Sequence, residues 1–370
     1  MKKYLTAKKD DLMRCFPLRC ICWFRLLILL TAVAALMASV PAHAYDVDSG
    51  HVPLTNFSLK LYNACSPSNP LYQETGARER LIQGNRGMDK GRGSMLRHLN
   101  LSEAERAELR GDSVFSLMRR IWNWHFYNPG RTEFSRVGLV EQSHRRLWTR
   151  LEKGLSANRG SNKLLFLGGL LHLVEDVSVP AHSIPVYHGP VSVAELGPKH
   201  LAPLVTYMRK AGRVRNGQIN DPIDWIRPDE KRLAETLLPT EEFCSAAGNG
   251  AETPEDVRDH LARTVYALLQ TPIPGCDGVS WFDLWLMPVN REYFGRYNIG
   301  EGRPLFGETG TVRSRNGSVC EMKKQDDRYA DFVLKLHQEA IKADMKLLRW
   351  GERQMVSEPL AIQGMHMREN

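Results

Sequence analysis

Apolar residues recur every three or four positions through much of the chain, which predicts helices over Leu54–Tyr62, Arg136–Leu155, Asn162–Asp176 and Asp326–Trp350. The last is the most regular: Tyr329, Phe332, Val333, Leu336, Ala340, Ile341, Leu347 and Leu348 fall on one stripe. A Ser-x-x-Glu capping box, Ser102 with Glu105, opens a further helix over Ser102–Leu109. Thr253 is followed by Pro254, Glu255 and Asp256, a strong helix start, and Val257, Leu261, Val265 and Leu268 carry that helix on until Pro272. The segment around Leu164–Val174 is apolar almost throughout and reads as a buried helix. Between Lys210 and Gln325 the texture changes: Pro, Gly and Asn are frequent and few helices stand out. The pattern predicts an all-α protein, with a helical core over 45–210, a loop-rich elaboration over 211–325, a closing core helix over 326–350 and a flexible tail over 351–370. No internal repeat interrupts it.

The buried segment carries residues that serve packing poorly. His172 and Asp176 are four apart, so at 3.6 residues per turn they share a face. Pro180 ends the helix and His182 follows just beyond it. Two imidazoles and a carboxylate at the end of a buried helix are good ligands for a divalent metal, zinc above all.

The first 44 residues change the reading of charge. Met1–Arg25 holds seven Lys/Arg and two Asp, and is followed by the 15-residue apolar run Leu26–Val40 and then Pro41-Ala42-His43-Ala44. This is the pattern of a signal peptide at 1–44, cleaved before Tyr45. The apolar run is shorter than the roughly 20 residues of a spanning helix. A start at Met13 would leave a more ordinary leader. The whole chain carries +8, but only +3 belongs to the part after the leader, so its basic character decides nothing about nucleic acid or anionic membrane. Cys15, Cys20 and Cys22 leave with the leader. Cys65, Cys244, Cys276 and Cys320 remain, and four spaced cysteines in an exported chain predict two disulfides, with three pairings open. Localisation is expected to be periplasmic or secreted.

Further residues extend the opening motif. His51 follows Gly50 early in the mature chain, Asp112 follows Gly111, and His125 begins His125-Phe126-Tyr127-Asn128-Pro129. With His172-x3-Asp176-x5-His182, these elements resemble the zinc-dependent phospholipase C and single-strand nuclease superfamily over about residues 45–200. The resemblance implies a phospholipase C/nuclease-like helical domain holding two to three Zn2+ ions. One zinc would take Asp112, His125, His172 and Asp176. A second would share Asp176 and take His51 with the α-amino and carbonyl groups of Tyr45. The third would take His182 and a downstream His-x3-acid pair. That pair is missing here: Leu204 and Ser192 stand at the offsets from His200 and His188, leaving His188, Glu195 and His200 as candidates.

The implied activity is hydrolysis of a phosphodiester by a zinc-activated water, with Asp112 placed to orient it and Asp176 joining two metals. The substrate would be a phospholipid head group, with peripheral membrane contact, or single-stranded nucleic acid in a nuclease or nucleotidase. No obligate protein partner is implied. The missing pair also motivates a non-catalytic reading, a zinc-binding protein with a degenerate site. Single histidines are usually structural, and His98, His144, His260, His337 and His366 are read so, with His144 against Trp148. The aromatic run Trp122, Trp124, Phe126, Tyr127 is read as core before it is read as a stacking platform.

Overall fold

Helix α4 (Ser161–Ser178) runs through the middle of the fold, and every residue from Lys163 through Ser183 is buried. The computed structural model describes residues 47–67, 72–73, 75–89, 126–127, 138–158, 160–183, 189–190, 214–215, 218–219, 223, 226–248, 252–285, 310–314, 316–323 and 326–356. The predicted leader, the predicted helix at Ser102–Leu109, Trp122, Trp124 and residues 357–370 lie outside these. Around α4 are packed α2 (Thr75–Asp89), α3 (Gly138–Ala157), α8 (Pro254–Gln270) and α10 (Asp327–Val356). A π-helical turn, Val47–His51, leads into α1 (Val52–Cys65), which lies against α10. A short α5 (Pro180–Ser183) follows α4. The remaining helices are α6 (Glu230–Thr236), α7 (Glu241–Gly248) and α9 (Phe282–Trp285).

Strands are minor. β1 (Gly189–Pro190), β2 (Val214–Arg215) and β3 (Gln218–Ile219) form an antiparallel sheet in the order β1-β3-β2. β4 (Gly310–Arg313) pairs antiparallel with β5 (Val319–Met322), Val312 opposite Cys320. The described part of the protein is helix-rich, as the periodicity predicts.

Glycines set the approach of α4 to its neighbours. A Cβ on Gly84 of α2 would lie 1.9 Å from the Leu165 carbonyl oxygen, and one on Gly168 would lie 2.0 Å from the Leu81 carbonyl oxygen. The backbones of α2 and α4 therefore touch, as only glycine allows. On another side, Gly154 of α3 makes room for the Phe166 ring. Between these contacts Leu170, Leu171, Leu173 and Val174 are fully buried, each worth about 1.5–3 kcal/mol relative to exposure.

Within the described residues the predicted helices are present, with bounds that differ by a few residues. α8 starts on the capping box of Thr253 and Asp256, has Pro254 in its first turn and stops at Gln270. It packs against both α4 and α10, so the loop-rich segment contributes a core helix. In α10 the predicted stripe is buried, from Tyr329 to Leu348. That helix continues past Gly351 to Val356, where the sequence suggests a flexible tail. Gly351 is not a stop: it lies against Leu167 of α4, whose Cδ2 would be 2.5 Å from an added Cβ. Lys163 Nζ donates to the Gln354 carbonyl at 2.8 Å and ties down this last turn.

Two disulfides are formed, Cys65–Cys244 between α1 and α7, and Cys276–Cys320 between the turn after α8 and β5. Each contributes on the order of 2–4 kcal/mol. They are compatible with an extracellular location. Among the described residues no helix is long and apolar enough to cross a membrane. His144 stacks on Trp148 with ring centroids 6.0 Å apart, and Phe126 and Tyr127 are core residues, as expected of both. His337 is buried as well, and burial pushes its pKa down to about 3, so it serves as a neutral packing residue.

Candidate metal centre

Three elements bring the candidate ligands together. His51 closes the π-helical turn, and Arg86 of α2 holds that turn through hydrogen bonds to Asp48 at 2.8 and 3.1 Å. His172 and Asp176 project from one face of α4, one turn apart, as their spacing requires. The ligand atoms of His51, His172 and Asp176 lie within 4.8 Å of one another, and all three residues are fully buried. This group could hold a metal ion.

Its geometry is specific. Asp176 Oδ1 lies 3.3 Å from His51 Nε2, and Asp176 Oδ2 lies 3.2 Å from His172 Nε2. One carboxylate thus turns a different oxygen to each imidazole. The two rings stack with centroids 3.9 Å apart and planes inclined by 24°. Burial and the adjacent His172 both lower the His51 pKa, but hydrogen bonds with Asp176 and Glu175 outweigh them and leave it raised.

Behind the imidazoles lies a polar layer with little warning in the sequence. His51 Nδ1 donates to Glu175 Oε2 at 2.6 Å, and the Thr55 hydroxyl donates to Glu175 Oε1 at 2.6 Å. Asn85 Nδ2 donates to Glu175 Oε2 at 2.9 Å and to Thr55 Oγ1 at 2.8 Å. Its carbonyl oxygen is 3.4 Å from His172 Nδ1. Asn85 reaches this position because the preceding residue, Gly84, lets α2 lie directly on α4. A Glu beside Asp176 in an otherwise apolar run is a visible anomaly. Asn85 and Thr55 carry no such mark.

One further carboxyl closes the network. Asp344 of α10 is fully buried and accepts from the Ser58 hydroxyl at 2.8 Å. Burial, and then the charge of neighbouring Glu175, push its pKa well above the ordinary carboxylate range. The unfolded chain releases this proton near pH 4 while the folded protein holds it. Stability therefore declines as pH rises from there towards the folded pKa. Asp344→Asn is expected to melt higher than the parent at pH 8 and to approach it at pH 4. Thermal melts of the metal-free proteins at both values check this. Equal melting temperatures at pH 8 would exclude a protonated Asp344.

The other expected ligands are placed unequally. His182 sits in α5, buried, and its carbonyl accepts from Tyr127 N at 2.7 Å. It does not belong to the His51–His172–Asp176 group. Val179 takes an extended conformation (φ −81°, ψ 123°), which ends α4 before His182. At 3.6 residues per turn a continued helix would also turn His182 away from the face of His172 and Asp176. Tyr45, Asp112, His125, His188, Glu195 and His200 lie outside the described residues. Set against family models, curated proteins and solved structures, the chain matches none of them.

Proposed function

We propose that the protein is an exported, zinc-dependent phosphodiesterase, with phospholipase C-like hydrolysis of a lipid head group as its leading activity. The observation that supports this best is Asp176, whose two oxygens face the Nε2 atoms of two different buried imidazoles. A carboxylate so placed suits a ligand shared between two metal ions. The donor set fits zinc, since imidazole nitrogen and carboxylate oxygen are its usual partners with thiolate. Within this reading, His172 and Asp176 hold one zinc with Asp112 and His125, while Asp176 and His51 hold a second with Tyr45. His182, with His188, Glu195 or His200, serves a third. When bound, zinc acidifies water to a hydroxide nucleophile at neutral pH and neutralises phosphoryl oxygens.

The chain's own residues define the rest. Asp176 orients two imidazoles, and the dry surroundings from Leu171 to Val177 strengthen every charge interaction within them. Tyr127 is held to the His182 backbone. That contact sets Tyr127 beside α5, the short helix that follows α4. The lipid preference rests on this element, His125-Phe126-Tyr127-Asn128-Pro129, and a single-strand nuclease or nucleotidase is the alternative within the same chemistry.

A second reading has its own support. His51, His172 and Asp176 are all fully buried, the condition of a closed structural site. A non-catalytic zinc protein would look the same at these three residues. Metal analysis of the purified mature protein, with a generic phosphodiester assay, separates the two. The enzyme is expected to carry two to three zinc ions per chain and to hydrolyse the ester. One ion or none, with no hydrolysis, would overturn the catalytic reading. Phosphatidylcholine against single-stranded DNA then decides the substrate class.

A further inference from the structure

Glu175 is the residue beside the candidate ligand Asp176, and it contacts neither a substrate position nor, in the proposed ligand sets, a metal. Its two carboxyl oxygens receive three donors: Thr55 Oγ1 on Oε1, and His51 Nδ1 and Asn85 Nδ2 on Oε2, at 2.6, 2.6 and 2.9 Å. We propose that Glu175 is a positioning residue that holds the Nδ1 proton of both buried imidazoles at once, leaving Nε2 of His51 and of His172 to ligate a metal bound beside Asp176. The proposal deepens the metal reading above and rests on it.

For His51 the reasoning is direct. A carboxyl oxygen at 2.6 Å from Nδ1 accepts, so Nδ1 holds its proton and Nε2, 3.3 Å from Asp176, is the nitrogen left to give up its own proton to a metal. Control of His172 is indirect and passes through Asn85. The Thr55 hydroxyl spends its single proton on Glu175 Oε1, so towards Asn85 it can only accept. Glu175 Oε2 likewise accepts from Asn85. Both neighbours therefore demand the Asn85 amide NH2, and flipping that amide would set oxygen against oxygen at two contacts. The carbonyl is left to face His172 Nδ1, at 3.4 Å. Asp176, 3.2 Å from Nε2, competes for the proton until a metal binds Nε2, and the Asn85 carbonyl then keeps the proton on Nδ1. One carboxyl thus orients two ligands, His51 directly and His172 through Asn85 of α2. Groups behind ligating histidines commonly change metal affinity by 10–100-fold.

Long-range proton–nitrogen NMR of the ring nitrogens in the zinc-loaded mature protein reads which nitrogen of each ring keeps its proton, without any substitution. Both His51 and His172 are expected as the Nδ1–H form. An Nε2–H form at His51 would overturn the proposal. Asn85→Ala is expected to mix the tautomers of His172 alone and leave His51 unchanged, and an unchanged His172 would remove the relay through Asn85. Glu175→Gln is expected to mix both and weaken zinc binding, measured by chelator competition, by 10–100-fold. Zinc affinity within twofold of the parent, with both tautomers retained, would reduce Glu175 to a structural role. If the parent itself binds no zinc, the metal reading fails and this proposal with it; zinc bound with an Nε2–H form at His51 overturns this proposal alone.

Discussion

Gly168→Ala is expected to destabilise the protein by roughly 3 kcal/mol or more, lowering its melting temperature by about 5–10 °C. The added Cβ would lie 2.0 Å from the Leu81 carbonyl oxygen and 3.0 Å from the Asn85 nitrogen. Both are backbone atoms of α2, so no change of rotamer relieves the overlap and the helices must move apart. Separation removes dispersion contacts along both helices and draws Asn85 away from Glu175 and His172. Weaker metal binding should therefore accompany the loss of stability. Gly76→Ala, also on α2, serves as control, because nothing lies within 4 Å of its Cβ position. That change should be neutral or stabilise by up to about 1 kcal/mol through helix propensity. Thermal melts of the two variants check the claim, and a Gly168→Ala protein melting within a degree of the parent would show that α2 and α4 do not touch as described.

Asp176→Asn should abolish phosphodiester hydrolysis, a fall of at least about a thousandfold given that such ligands act as a unit. The amide keeps the shape of the side chain but offers one oxygen in place of two, and no charge. Opposite one of the two imidazoles it presents an NH2 group, which cannot ligate. Zinc content should fall by at least one ion per chain. A far-UV circular dichroism spectrum of the metal-free variant matching that of the metal-free parent separates loss of the site from loss of the fold. Near-parental turnover would refute a carboxylate shared between two metals. Full zinc content without activity would leave Asp176 a catalytic role but not a bridging one.

Several elements were legible from pattern alone. The stripe of α10, the Thr253 start of α8 and the buried character of α4 depend on local periodicity and capping, which the chain states residue by residue. The pairing of His172 with Asp176 was legible for the same reason, since a spacing of four on a helix is a geometric statement. α2 was not legible. Its sequence, Thr75–Asp89, contains three glycines and few apolar residues, and isolated propensity argues against a helix there. The contact that rewards it is the backbone-to-backbone packing of Gly84 and Gly168, which exists only once α4 is in place. Gly351 misled in the same way: a glycine near a helix end looks like a cap, yet here it clears space for Leu167.

By itself, then, the sequence determined the helical class, the start of α8, the placement of His172 and Asp176 on one face and the choice of zinc-suited donors. It also supplied His51 as a candidate, by resemblance. Only the tertiary structure decided that His51 meets the same carboxylate, stacked against His172, and that Glu175, Asn85 and Thr55 stand behind the rings. It also excluded His182 from their group. The physical reason is range: a helix repeats every 3.6 residues, so its faces can be read locally, whereas the meeting of His51 with Glu175 spans 124 positions and depends on how closely two backbones can approach.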